Sequence, residues 1–204
     1  ATRTASWAKA RGAHCHGIDA TQALLDVAGL RAPNAALHCG DMAHLPYGDE
    51  SFDAVTVVNG VQYDSDDVLQ ETARVLRSGA RFAMAFWSDP MDFTAYFAAL
   101  SACSPPAPSA ALKLTDPGVA EGHVEGAGLI VVERGEHDVV APYRSMQDAH
   151  DALESSGPAW GAIDHSGPEA VRAAVADAVA PLADDTSGRI AMRAKMGHLV
   201  ASKP

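Results

Sequence analysis

Three polar residues each follow an apolar stretch that has the length of a strand: Asp19, Asp41 and Asn59. Carboxylate and amide oxygens accept hydrogen bonds, so such residues can hold a ligand that carries donors. In open α/β sheets, ligands bind just beyond the carboxyl ends of the strands. Asp41 and Asn59 would stand at neighbouring strand ends, and they are therefore candidates for one pocket.

The apolar run at residues 54–58 shows no alternation of polar and apolar positions. Such a run is typical of a strand that is covered on both faces, as in a parallel α/β sheet. Asn59 and Gly60 then interrupt the run where the strand would leave the sheet. The element that positions Asn59 is therefore expected to be a central strand.

Helix and strand patterns alternate along the first half of the chain, which indicates an α/β fold with a parallel sheet. The predicted strands are residues 13–18, 35–39, 54–58, 81–87, 129–133 and 189–203. The predicted helices are residues 1–11, 20–30, 64–79, 116–125 and 143–156, with a further helix that starts near Ser166 at capping-box spacing from Glu169.

Two finer expectations concern how these helices pack. On residues 20–30, helical periodicity predicts a buried side that consists of Leu24, Leu25, Val27 and Ala28. Three glycines spaced by four favour close packing of the helix at residues 116–125: Gly118, Gly122 and Gly126.

The chain has 204 residues, a formal net charge of −11 and three cysteines. We expect a single domain over residues 1–204, with lid or insert helices at 88–115 and 143–185. The acidic surface gives no footprint for nucleic acid. No apolar run reaches the ~18 residues of a membrane helix, and few cysteines fit a reducing compartment, so the sequence predicts a cytoplasmic protein.

Four stretches, taken together, resemble the Rossmann-like methyltransferases that use S-adenosylmethionine, in particular the branch that acts on small molecules, quinones and natural products. The stretches are Gly17-Ile18-Asp19-Ala20, Gly40-Asp41-Met42, Leu45-Pro46-Tyr47 with Ser51-Phe52-Asp53, and Glu71-Thr72-Ala73-Arg74-Val75-Leu76 with its turn to Arg81. The resemblance implies an α/β fold whose sheet is mostly parallel, with an antiparallel last strand and a helical lid.

The resemblance also implies a cofactor site for S-adenosylmethionine, with S-adenosylhomocysteine as the product. Asp19 and Ala20 would bind the ribose hydroxyls, since one carboxylate can accept both donors of a diol. Asp41 would accept the adenine amine, and Met42 would pack on the adenine face. An alternative is that Asp19 and Asp41 only cap the turns that follow them.

The remaining implied contacts are closer to the transferred methyl group. Asn59 and Gly60 would lie near the methionine part of the cofactor, and Gln62 and Tyr63 near a small organic substrate. His123, His137 and Tyr143 lie in regions that could approach the acceptor, but none is assigned as a catalytic base.

One departure from the family pattern concerns its first strand and the glycine-rich loop after it, which have no counterpart in residues 1–204. In the family that strand lies inside the sheet, between the second and the fourth, and without it buried backbone groups would lack partners. We expect first that the natural protein has residues before Ala1, second that the sheet is degenerate, and third that a partner chain donates the strand.

Other chemistry is less well supported. Residues 14–16, His-Cys-His, would point to opposite faces of a strand, and the acids Asp64, Asp66 and Asp67 suit a helix start, so no metal site is predicted. Two other functions stay open: a methyltransferase fold used for binding or for another reaction, which the missing glycine loop favours, and a nicotinamide-dependent oxidoreductase, since an acid after a second strand also binds that ribose. The oligomeric state is left unpredicted.

Overall fold

The computed structural model describes residues 10–61, 65–105 and 114–204. The strands are β1 (His16–Asp19), β2 (Ala36–Cys39), β3 (Phe52–Val58), β4 (Leu76–Asp89), β5 (Ile130–Tyr143) and β6 (Ile190–Ser202). The helices are α1 (Gln22–Arg31), α2 (Ser65–Val75), α3 (Thr94–Ala102), α4 (Val119–Gly126), α5 (Met146–Glu154), α6 (Gly157–Ser166) and α7 (Pro168–Val179), with short 3₁₀ turns at Met91–Phe93 and Ala180–Leu182. None of the helices in these ranges is both long and apolar enough to cross a bilayer.

The strands form two sheets within the described residues. One sheet pairs β1 with β2 in parallel, and the other has the order β3-β4-β6-β5, with β3 parallel to β4. Gly79, near the start of β4, donates its N–H to the carbonyl of Lys203, just after the end of β6, at 2.9 Å. The last strand therefore runs antiparallel to β4, and the expected mixed α/β sheet is confirmed. The prediction of an upstream strand beside β1 stays a prediction.

Contacts divide the chain into two compact units. The first consists of Ala1–Phe86, Leu112–Gly135 and His198–Pro204. Its core lies where β4 and β6 meet α2 and α4, and its fully or almost fully buried members include Leu69, Leu76, Phe82, Met84, Val124 and Leu199. On α2, Val68, Leu69 and Thr72 are buried on one face.

The second unit consists of Trp87–Ala111 and Glu136–Gly197. Its core is formed by α3, α5, α6, α7 and the first half of β6, and it includes Leu100, Leu153, Val171, Val175, Ile190 and Met192. Tyr96 is buried in this core, and its hydroxyl donates to the carbonyl of Leu153 at 3.0 Å. Aromatic rings pack on one another beside it: Trp87, Phe93 and Phe97.

Several sequence expectations about packing are wrong. The strand at residues 54–58 is expected to be central and covered on both faces, but β3 is the outer strand of its sheet within the described residues, and Val58 is 47% exposed. Leu25 and Ala28 of α1 are buried, but Leu24 and Val27 are exposed. The helix packs on β1 and β2, each only four residues long, so a narrow stripe is enough to cover them. Close packing at Gly118, Gly122 and Gly126 is also wrong, because a Cβ added at any of them would meet nothing within 4 Å.

Element boundaries also differ from the sequence prediction. Strand β4 begins at Leu76, within residues that are predicted to end the preceding helix, and not at residue 81. Strand β5 extends to Tyr143, ten residues beyond the predicted end at residue 133, because it pairs along the sheet with β6 over the same stretch. Ser166 is not the cap of the last helix: it ends α6, a helix that the sequence did not predict, and its hydroxyl donates to the carbonyl of Cys103 at 2.8 Å. Gly167, with φ of 83°, separates α6 from α7.

Candidate functional site

The ends of β1 and β2 place two predicted site residues on the same edge of a sheet. The two strands are parallel, and Asp19 stands opposite Cys39 in the register. The amide of Gly40 donates to the carbonyl of Asp19 at 3.0 Å, which extends the pairing past the end of β2. Asp41, two residues beyond that strand, therefore lies on the same edge as Asp19 and Ala20.

Asp19 caps the turn before α1. Its Oδ1 accepts the backbone N–H of Thr21 at 2.9 Å, which is the alternative role that the sequence left open. A carboxylate has two oxygens and about four acceptor positions, so one such bond leaves capacity for a ligand diol. Capping and ligand binding are therefore compatible at Asp19, and the cap fixes the direction of the carboxylate.

Asp41 is held in a similar way. Its Oδ1 accepts the N–H of Ala43 at 2.9 Å, and its Oδ2 lies 3.2 Å from Nδ1 of His44. These interactions, the Ala43 amide first and the His44 side chain next, hold the pKa of Asp41 below its usual range. Asp41 is thus a carboxylate at neutral pH, as an acceptor for an amino group must be.

The prediction that Asp41 and Asn59 follow neighbouring strands is wrong among the described residues, because β2 pairs with β1 and β3 pairs with β4. The ends of β2 and β3 nevertheless meet through Met42 and Gly60. A Cβ added at Gly60 would lie 3.3 Å from Cε and 3.4 Å from Sδ of Met42, and 2.9 Å from Cγ1 of Val57. The Met42 side chain therefore packs directly over the Gly60 backbone. Four of the predicted cofactor residues now share one edge of the first unit, since Asp41 precedes Met42 and Asn59 precedes Gly60.

Asn59 has an unusual backbone conformation at the end of β3. Its φ is 52°, in the left-handed region, while its amide still donates to the carbonyl of Ala85 at 2.9 Å. Asparagine tolerates this region better than most residues, and such conformations concentrate at functional sites. The strand ends at Val58, directly before this residue. Gln62 and Tyr63, the predicted substrate-side residues, lie outside the described residues.

The loop that leads from Asp41 to β3 is held by a charged pair on α2. Glu71 accepts the amide of Leu45 at 2.8 Å and Nε of Arg74 at 2.7 Å. Arg74 donates to the carbonyls of Tyr47 and Leu45, at 2.8 and 3.2 Å, and to Oδ1 of Asp49 at 2.9 Å. Sequence reasoning assigned no role to Glu71 or Arg74, although opposite charges three residues apart on a helix signal an interacting pair.

A cluster of rings lies at the other end of these strands. His16, the first residue of β1, has its ring 5.4 Å from those of Tyr47 and Phe52, and His38 lies 5.7 Å from Tyr47. The Tyr47 hydroxyl is buried with no hydrogen-bond partner among the described residues, and burial raises its pKa. The described residues contain no group of three or more His, Cys, Asp or Glu side chains that could hold a metal ion.

Two of the residues that the sequence placed near an acceptor, His123 and Tyr143, belong to other elements than these strand ends. His123 lies on α4, where its Nδ1 is 2.7 Å from Oδ1 of Asp66, beside a groove of about 470 Å³ between α2 and α4. Tyr143 belongs to the second unit, and burial raises its pKa. The geometry gives no reason to assign either residue as a base.

Comparison with known proteins finds similarity to a family of methyltransferase domains in the first part of the chain. The sequence profile of a family described as a methyltransferase domain matches residues 1–84. The methyltransferase GfsG of Streptomyces halstedii is 36% identical over 92 residues, which are 41% of this chain and 33% of that protein. A demethylmenaquinone methyltransferase of Mycobacterium sp. (strain KMS) is 40% identical over 86 residues, 41% of this chain and 36% of that protein. The aligned segment spans about a third of these curated relatives.

Solved structures match nearly the whole chain. The protein BH2331 of Bacillus halodurans C-125 has a TM-score of 0.58 at 19% identity, over 93% of this chain and 82% of that one. The [4+2]-cyclase SpnF has a TM-score of 0.55 at 20% identity, over 94% and 67%. A geranyl diphosphate methyltransferase solved with S-adenosylmethionine has a TM-score of 0.51 at 12% identity, over 95% and 70%. At these identities the likeness is one of fold.

The order of the strands, the strand-end acids and the sequence match agree. Residues 1–84 therefore resemble the methyltransferase domain family in sequence, and the chain shares the Rossmann-like fold of the solved structures.

Proposed function

We propose that the protein transfers a methyl group from S-adenosylmethionine to a small organic acceptor and releases S-adenosylhomocysteine. One observation carries the proposal: Asp19 and Asp41 lie on one sheet edge, and Met42 joins that edge to Gly60 at the end of β3. Ligands of open α/β sheets bind at this edge. The family match over residues 1–84 supports the same function.

The chemistry of these side chains fits the adenosine half of the cofactor. The Asp19 carboxylate would accept both ribose hydroxyls, with Ala20 beside it. The Asp41 carboxylate, ionised at neutral pH, would accept the adenine amine. Met42 would offer a soft, apolar surface to the adenine ring. Asn59 and Gly60 would lie beside the methionine half, where the absence of a Cβ lets a ligand approach the backbone.

The bound cofactor would supply an electrophilic methyl group on a sulfonium, whose sulfur keeps the bonding electron pair when the acceptor attacks. Much of the acceleration of such a transfer comes from holding the acceptor in line with the methyl group. A base is needed only for acceptors that must lose a proton as they react. The proposal therefore names no base, and it leaves open whether oxygen, nitrogen or carbon is methylated.

Calorimetric titration of S-adenosylhomocysteine into the protein, expressed from its natural gene, tests the proposal. We expect micromolar binding by the wild type and a loss of at least about tenfold in Asp19→Ala, since a charge-assisted pair of hydrogen bonds is removed. Asp26→Ala is the matched control, because Asp26 is an acid on α1 whose side chain, among the described residues, accepts a hydrogen bond from Gln22 one turn earlier. No binding by the folded wild type would refute the proposal.

A second function is favoured by a specific observation. SpnF, which shares the fold, is a [4+2]-cyclase. A protein of this second kind would bind S-adenosylhomocysteine without transferring a methyl group. Incubation with methyl-labelled S-adenosylmethionine and a panel of quinone and phenol acceptors separates the two functions, since only a methyltransferase labels an acceptor.

A nicotinamide-dependent oxidoreductase is the third alternative. Asp19 alone would suit it, but Asp41 and Met42 at the next strand end favour adenine recognition of the methyltransferase type. Displacement of S-adenosylhomocysteine by NADH at equal concentration would favour the oxidoreductase. We also infer a cytoplasmic location, which three cysteines in 204 residues support, and a small-molecule substrate as the main partner.

A further inference from the structure

The side chains of Glu71 and Arg74 form hydrogen bonds to one loop and to each other. Glu71 uses one oxygen for the Leu45 amide and also accepts two N–H groups of Arg74, at 2.7 and 2.8 Å. Arg74 spans the loop from the carbonyl of Leu45 to that of Tyr47 and on to Asp49. The pair therefore holds the backbone of Leu45 through both of its hydrogen-bonding groups, since Glu71 accepts the N–H and Arg74 donates to the carbonyl.

The pair is partly shielded from water, which makes its interactions stronger than those of a fully exposed pair. The side chains of Arg74 and Glu71 are 31% and 21% exposed, whereas that of Asp49 is 78% exposed. Arg74, followed by the Leu45 amide, holds the pKa of Glu71 below its usual range. We therefore expect the bonds to Leu45 to fix the loop more firmly than the exposed bond to Asp49.

The loop that is held in this way begins with the residues that would recognise adenine. Asp41 and Met42 stand four and three residues before Leu45. The turn between Asp41 and Leu45 is short, and two hydrogen bonds fix it at the Asp41 end. The Asp41 side chain accepts the N–H of Ala43, and its main-chain carbonyl accepts the N–H of His44 at 3.2 Å. Because only this turn separates the two residues, a displacement of Leu45 would also displace the Asp41 carboxylate.

We propose that Glu71 and Arg74 are positioning residues that hold residues 41–49 so that the Asp41 carboxylate faces the adenine amine. The inference rests on the proposed function, and it assigns to α2 a part in cofactor selection although neither residue belongs to the strand ends. A fixed acceptor favours adenine, which offers an amine, over hypoxanthine, which offers a carbonyl oxygen at the same position. A loosened loop weakens binding and also reduces that preference.

A matched control lies at the end of the same loop. Arg77, on β4, donates to Oδ1 of Asp53 at 2.5 Å and to the carbonyl of Glu50 at 3.0 Å, so it ties the end of the loop and the start of β3 to the start of β4. Its contacts lie beside the start of β3, far along the chain from Asp41. Arg77→Lys therefore disturbs an arginine–loop contact without touching the part of the loop that carries the adenine acceptor.

The experiment titrates S-adenosylhomocysteine and S-inosylhomocysteine into the wild type, Glu71→Gln, Arg74→Lys and Arg77→Lys. We expect the wild type to prefer the adenine ligand, and Glu71→Gln and Arg74→Lys to lose about tenfold in affinity for it together with most of the preference, a change of the size expected for charged hydrogen bonds. Arg77→Lys should keep both. A merely structural role would lower both affinities alike and leave their ratio unchanged.

A wild-type preference that survives in both Glu71→Gln and Arg74→Lys would overturn the inference while the proposed function stands. If the wild type binds neither ligand, both the proposed function and the inference fail. Amide hydrogen exchange of the wild type gives a test that does not depend on variants that fold. Saturation with S-adenosylhomocysteine should slow exchange at the Leu45 amide, and an unchanged rate there would count against the inference.

Discussion

Met42 packs against Gly60 so closely that no side chain fits between them. A Cβ at Gly60 would lie 3.3 Å from Cε of Met42, a distance at which a neighbour must move. The Cβ added at Gly60 would also lie 2.9 Å from Cγ1 of Val57. Since Met42 follows β2 and Gly60 follows β3, this contact sets the spacing of two strand ends that carry predicted cofactor residues.

Gly60→Ala should therefore damage the site and the fold together. Val57 belongs to a strand and cannot move freely, so we expect the added methyl group to lower the free energy of unfolding by about 1–3 kcal/mol, as overpacking does. Met42 must also shift, and affinity for S-adenosylhomocysteine should fall. Urea denaturation and calorimetric titration measure the two effects. Unchanged stability and affinity would mean that Met42 does not occupy this position.

Gly122→Ala provides the opposite case on helix α4. A Cβ at Gly122 would meet nothing within 4 Å, and the residue lies inside a helix, where alanine is preferred to glycine. We expect the free energy of unfolding to rise by about 0.5–1 kcal/mol. Urea denaturation measures it. A clear loss of stability in Gly122→Ala would show that this helix is closely packed at Gly122, as the glycine spacing predicted and contrary to the structure.

The two faces of α1 can be separated by a pair of alanine variants. Leu25 is 6% exposed and Leu30 is 85% exposed. Leu25→Ala removes a buried side chain and should lower the free energy of unfolding by about 2–4 kcal/mol, whereas Leu30→Ala should change it by less than about 0.5 kcal/mol. Equal losses in the two variants, measured by urea denaturation, would show that Leu30 is covered in solution.

The error at α1 illustrates what periodicity can and cannot predict. The spacing of Leu24, Leu25, Val27 and Ala28 correctly indicates a helix with an apolar side. It does not give the width of the partner surface, and here β1 and β2 present only four residues each. The second half of the chain is predicted less well for a similar reason: β5 continues to Tyr143 beside β6, and a neighbouring strand that begins 47 residues later leaves no local pattern.

The predicted site shows the same division. The strand-end positions of Asp19, Asp41, Met42, Asn59 and Gly60 follow from the apolar runs before them and from the family resemblance, and the structure places them as expected on their strand ends. Their assignment to the cofactor stays a prediction. The bond between Glu71 and the Leu45 amide could not be predicted, because it joins residues 26 positions apart through a backbone group that has no sequence signature.

Acid should destabilise the protein through Glu71. Its pKa in the folded state is lowered from the ordinary value of 4.5, chiefly by the Arg74 guanidinium. A carboxyl with a lowered pKa contributes stability above its unfolded pKa, and this contribution is lost as the pH falls through the folded value. We expect the unfolding midpoint to fall steeply below about pH 4.5, and less steeply in Glu71→Gln, which has no such charge to lose. Parallel pH profiles of the wild type and Glu71→Gln would contradict the assignment.

Asp92 should stabilise the second unit through the backbone as well as through charge. Its Oδ2 accepts both the main-chain N–H and Nε of Arg193, at 2.8 and 2.9 Å, and joins the turn after β4 to β6. Asp92→Ala removes both bonds and should lower the free energy of unfolding by about 1 kcal/mol. Arg193→Lys should cost less, because the main-chain N–H still donates to Asp92. Thermal unfolding of the two variants gives the order, and a greater loss in Arg193→Lys would show that the guanidinium, not the backbone bond, holds the turn.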